Sequence, residues 1–112
     1  MNKPSKLSLI AIYGPAGVGK TTLADLLHDE LTNTAHIGVD NIKRFISEFR
    51  TVLSHQEVSK SVINAMVAEY LQHGINTIVE QGMNTQELWA LKEIADRAGV
   101  QPIHEACELH RN

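Results

Sequence analysis

Short apolar, β-branched segments alternate with helical stretches along this chain, and a glycine-rich turn joins the first of each. The alternation predicts an α/β fold, a parallel sheet with helices on both faces, because parallel neighbours need crossover connections that cover the sheet. A second observation concerns Asp40 and Glu80, which stand at the ends of two apolar segments. In such a sheet, ligand chemistry gathers at the carboxyl ends of the strands.

Each element follows from its own residues. Residues 7–13 form an apolar run stopped by Gly14 and Pro15, the pattern of a buried strand. Residues 20–31 place Leu23, Leu26, Leu27 and Leu31 on one helical face and Asp25, Asp29 and Glu30 on the other. Residues 35–39 read as a second strand with Asp40 at its carboxyl end. A short helix over 41–50 carries Ile42, Phe45, Ile46 and Phe49 on one stripe. A longer helix over 54–73 has Val58, Val62, Ile63, Met66, Val67, Tyr70 and Leu71 as its apolar face. Ser54 and Glu57 stand at capping-box spacing at its start, and Gly74 stops it. Residues 75–79 are a third strand leading into Glu80-Gln81-Gly82. Asn84 then caps a helix that ends at Gly99, and residues 100–107 are a fourth strand.

The bulk numbers fit one such domain. The chain has 112 residues, of which 43% are apolar and few are aromatic, so its core is aliphatic. A net charge of −3, with both signs interspersed, argues against a grip on long nucleic acid or on an anionic membrane. Cys107 is the single cysteine, which rules out an intramolecular disulfide and fits a reducing compartment. No apolar stretch approaches the ~20 residues of a membrane span. The expectation is a cytoplasmic protein.

Gly14-Pro15-Ala16-Gly17-Val18-Gly19-Lys20-Thr21 matches G-x-x-x-x-G-K-[ST] at every fixed position, between a predicted strand and a predicted helix. The chemistry explains each demand. Glycines let successive N–H groups turn inward as an anion nest, and the opening helix turns its positive end to phosphate. Lys20 reaches the β- and γ-phosphates of a nucleoside triphosphate, the Thr21 hydroxyl ligates Mg²⁺, and Thr22 is placed to bond a phosphate oxygen. The ligand read from these residues is MgATP or MgGTP.

The strand-end acids divide the P-loop classes. A carboxylate at Asp40 can take a proton from a substrate hydroxyl or hold metal through water, and it can equally be a plain helix N-cap. Glu80 after Ile78-Val79 is a Walker-B-like acid able to orient Mg²⁺ or water, or else a solvated strand end. Arg44 can clamp an anionic substrate or merely solvate its helix. A GTPase would carry D-x-x-G at the third strand's end and N-K-x-D later, and neither is present. The six histidines show no pair at metal-ligand spacing.

Taken together, residues 14–22, the Val39-Asp40-x-x-Lys43-Arg44 segment and Glu80-x-Gly82-x-Asn84 resemble the P-loop kinases of the adenylate-kinase-like superfamily. The likeness is strongest to the zeta-toxin and polynucleotide-kinase-like branch, AAA_33. It implies a P-loop NTPase fold of adenylate-kinase-like type and transfer of the ATP γ-phosphate to a hydroxyl or phosphate of a small molecule or nucleotide. By this resemblance Lys20 and Asp40 are catalytic, Asp40 as the base. Residues 14–22 hold the nucleotide, Thr21 and Glu80 serve Mg²⁺, and Arg44 and Asn84 lie near the acceptor. Members of the branch continue into an arginine-bearing lid and a further strand. Residues 1–112 are therefore expected to be a single nucleotide-binding domain, the N-terminal part, with lid and last strand missing. A P-loop ATPase and a non-catalytic nucleotide-binding fragment are the alternative readings.

Overall fold

The structure, a computed structural model, describes residues 7–13, 20–47, 53–80, 85–100 and 104–107. The elements run β1 (Leu9–Tyr13), α1 (Lys20–Glu30), β2 (Thr34–Gly38), α2 (Val39–Lys43), α3 (Leu53–Gln72), β3 (Asn76–Glu80), α4 (Thr85–Arg97) and β4 (His104–Cys107). This is the order the hydrophobic pattern predicts. The four strands form one sheet in the order β2-β3-β1-β4, and every pairing is parallel. β1 is flanked on both sides, which suits its continuous apolar run.

The two faces of the sheet are covered by different helices. Side chains alternate across a strand, so Ile12 and Ile78 point to one face and pack with Ala24 of α1. Leu9, Ala11, Ile37 and Val79 point to the other, where they form the larger core with Ile63, Val67 and Leu71 of α3 and Leu91 and Ala95 of α4. Chain leaving β1 thus enters a helix on one face, and chain leaving β3 enters a helix on the other. Neighbouring strands whose connections diverge open a crevice at their carboxyl ends. Here that crevice lies between β1 and β3.

Helices α3 and α4 end alike. Gly74 and Gly99 both adopt φ of 77°, the left-handed region where a side chain is disfavoured. The N–H of Ile75 bonds the carbonyl of Tyr70 at 2.9 Å, and that of Val100 bonds Ala95 at 2.8 Å. These are the six-residue closures of Schellman motifs, and they start the chain toward the next strand.

Three expected helix faces are rotated or shortened. In α1, Leu23 and Leu27 pack on the sheet with Ala24, but Leu26 and Leu31 are exposed. In α3 the buried row is Ser59, Ile63, Val67 and Leu71, a strict four-residue step, whereas Val58 and Val62 face outward. The second helix spans five residues and keeps only Ile42 buried; Phe45 is 76% exposed. The pattern over 41–50 predicts about three turns; residues 44–47 are turns and bends instead, and Phe49 lies outside the described residues. Glu87 of α4 meets Lys60 of α3 in an ion pair that ties the two helices together.

Candidate functional site

Thr21 opens the site. It lies in the first turn of α1, and its hydroxyl donates a hydrogen bond to Oε2 of Glu80. Glu80 is the last residue of β3, and β1–β3 pairing brings it beside Ile12. The end of the glycine-rich motif and the strand-end acid, distant in sequence, thereby meet at the β1/β3 crevice. Glu80 is only 9% exposed. A carboxylate so buried needs partners on both oxygens, since an unpaired buried charge is costly.

The second partner is His36, which the sequence pattern does not single out. Thr34, His36 and Gly38 alternate onto one face of β2, and β2 pairs with β3 with Gly38 opposite Glu80. His36 therefore reaches along the same face, and its Nε2 lies 3.1 Å from Glu80 Oε1. An ionised carboxylate only accepts, so Nε2 is the nitrogen that carries the proton. Its other nitrogen, Nδ1, stands 3.7 Å from Oδ1 of Asp25 on α1. The His28 ring lies beside the His36 ring, tilted by 47° with 5.9 Å between centroids. Finding His36 from sequence would have required knowing that β2 borders β3, because only then do positions 36 and 80 share an edge of one face.

Asp40 sits in the first turn of α2 and is exposed, with Gly38 in the cap position and no side-chain capping bond there. The plain N-cap reading of Asp40 is thus set aside. Among the described residues, no side chain pairs with its carboxylate. Arg44 ends the same helix and donates from Nη1 to Oδ1 of Asn41 at 3.3 Å. Thr22 is exposed on α1. Gly14, Pro15, Ala16, Gly17, Val18, Gly19 and Asn84 lie outside the described residues, and for Lys20 only the helical backbone is described. The structure thus unites Thr21 with Glu80 and places Asp40 in the first turn of α2, just past the end of β2, the strand next to Glu80's.

Residues 9–111 match the model of the AAA_33 family, an AAA domain. No curated protein sequence matches the chain. Among solved structures, one of a Pnkp1/Rnl/Hen1 complex superposes with a TM-score of 0.80 at 16% identity, covering 98% of this chain and 38% of that one. A putative kinase from Chloroflexus aurantiacus gives 0.75 at 19% identity, over 91% of this chain and 59% of its own. The APS kinase CysC of Mycobacterium tuberculosis, as a mutant, gives 0.70 at 14% identity, over 93% and 76%. Another structure of that enzyme is a complex with AMPPNP and APS. The chain thus spans well under half of the Pnkp1 complex chain and about three fifths of the Chloroflexus kinase.

Proposed function

Because the chain belongs to the AAA_33 family and has the fold of P-loop kinases, we propose that it binds MgATP and passes the γ-phosphate to a hydroxyl or phosphate of a small molecule or nucleotide. One contact supports this most: the Thr21 hydroxyl donating to Glu80. By spending its proton on Glu80, Thr21 keeps its oxygen lone pairs for a cation. One hydroxyl and one carboxylate fit Mg²⁺, which takes hard oxygen donors and completes its shell with water and substrate phosphates. Among the described residues no group of three or more His, Cys, Asp or Glu side chains is set to hold a metal by itself. Thr21 and Glu80 would therefore hold Mg²⁺ together with the nucleotide. Once bound, the ion supplies positive charge against that developing on the β- and γ-oxygens.

The remaining roles fall to this chain's own side chains. Residues 14–22 wrap the phosphates, and Lys20 neutralises their charge. Asp40, exposed and unpaired among the described residues, accepts the proton of an acceptor hydroxyl. As that oxygen bonds to the γ-phosphorus, the bond from phosphorus to the bridging oxygen breaks and ADP leaves with the electron pair. Arg44 and Asn84 steady an anionic acceptor. The domain over 1–112 is the nucleotide-binding core of such an enzyme.

Transfer of γ-³²P from ATP to a panel of nucleosides, nucleotides and sugars tests the reading. Asp40→Asn should lower transfer by about 10²-fold or more while leaving ATP affinity intact. Undiminished transfer in that variant removes Asp40 as the base. ATP hydrolysis that ignores every acceptor, and survives the change, favours a plain ATPase.

A further inference from the structure

The Thr21–Glu80 pair explains one oxygen of a buried carboxylate and leaves the other to His36. A glutamate has three side-chain torsions, and a hydrogen bond to one oxygen still lets the carboxylate pivot about it. Nε2 of His36, 3.1 Å from Oε1, removes that freedom. The imidazole is largely buried, with its side chain 16% exposed; Asp25 stands 3.7 Å from Nδ1, and the His28 ring lies tilted beside it at 5.9 Å between centroids. Strand β2 fixes the origin of this bracket, because the Gly38–Glu80 register sets His36 two residues back along the face that β3 presents to α1. Gly38 adds no bulk at this point. A Cβ there would lie 3.5 Å from Oε1 and 3.9 Å from His36 Nε2, so the space between strand end and carboxylate is narrow but open.

We propose that His36 is a positioning residue that locks the Glu80 carboxylate in the orientation that serves Mg²⁺ beside Thr21. This deepens the kinase reading and rests on it. In this role the imidazole acts through Glu80, its hydrogen-bond partner. Groups that orient a metal-binding carboxylate in this way typically govern 10- to 100-fold of metal affinity. Asp25 adds little, since 66% of its side chain is exposed and water screens the pair.

The test reads metal coupling rather than turnover. ATP affinity of the full chain is measured by calorimetry across a Mg²⁺ series and in EDTA, for wild type, His36→Ala, His36→Gln and Asp25→Asn. Glutamine carries an N–H donor at about the reach of Nε2. His36→Ala should raise the Mg²⁺ concentration that half-restores tight binding by about tenfold, with EDTA affinity unchanged. His36→Gln should recover most of that loss, and Asp25→Asn should shift it no more than about threefold. A purely structural histidine would instead lower affinity equally with and without Mg²⁺, and glutamine would bring no recovery. If His36→Ala does not fold, a His36→Gln variant whose Mg²⁺ dependence departs from wild type as far as Glu80→Gln does overturns the proposal. Mg²⁺ coupling present in wild type and unchanged in His36→Ala overturns the role of His36 alone. No coupling even in wild type overturns both this role and the MgATP reading.

Discussion

Glu80 is buried, ionisable and shared between a hydroxyl and an imidazole, and its chemistry follows from those three facts. Replacing it with glutamine keeps the shape and an oxygen that can accept from Thr21, but removes the charge a cation needs. Glu80→Gln should therefore melt within a few degrees of wild type while needing at least about tenfold more Mg²⁺ for tight ATP binding. Thermal melts and a Mg²⁺ titration check the two halves separately. Ser59 is the opposite case, a residue 2% exposed whose hydroxyl has no hydrogen-bond partner among the described residues. Burying an unmet polar group costs about 1–3 kcal/mol, so Ser59→Ala should stabilise the fold, by about 1 kcal/mol in urea unfolding. Thr21, Asp40 and Glu80 were legible as candidates because a motif or a strand end marks them in one dimension. His36 and Ser59 were not. One depends on which strand neighbours which, and the other is a polar residue inside a row that polarity would assign to solvent.

At the level of elements, the punctuation was easier to read than the faces. Gly74 and Gly99 stop their helices as their positions predict, and both do so at positive φ. A side chain there is strained by about 1–2 kcal/mol, although open space surrounds each site. Gly74→Ala and Gly99→Ala should each lower the melting midpoint by about 4 °C or more, and ATP affinity should not change. Helix α3 shows why faces are harder. Its apolar residues fill two adjacent rows, 58-62-66-70 and 63-67-71, and composition alone does not tell which row centres on the core. Packing against α2, α4 and β3 selects the row through Ser59, Ile63, Val67 and Leu71 and turns Val58 and Val62 outward. Helix α2 is short for a related reason: among the described residues after it, Phe45 is exposed and Ile46 only partly buried, so little apolar burial rewards another turn.

Across the whole molecule, alternation of strand and helix established the fold class, but strand order does not appear in any local pattern. The order β2-β3-β1-β4 is what brings Glu80 to the P-loop strand on one side and His36 to Glu80 on the other. It also separates the two cores, and this yields a contrast. Ile78→Ala and Leu91→Ala both delete fully buried side chains, one on β3 under α1 and one on α4 in the core it shares with α3. Each should cost about 2–5 kcal/mol, but only Ile78→Ala loosens the seat of α1 and should weaken ATP binding as well. A sheet that holds a nucleotide at the β1/β3 crevice through its glycine-rich loop should bind one MgATP per chain, saturably, in a calorimetric titration, and Lys20→Ala should abolish that binding. No binding, or binding indifferent to Lys20, would mean that the loop does not hold the nucleotide.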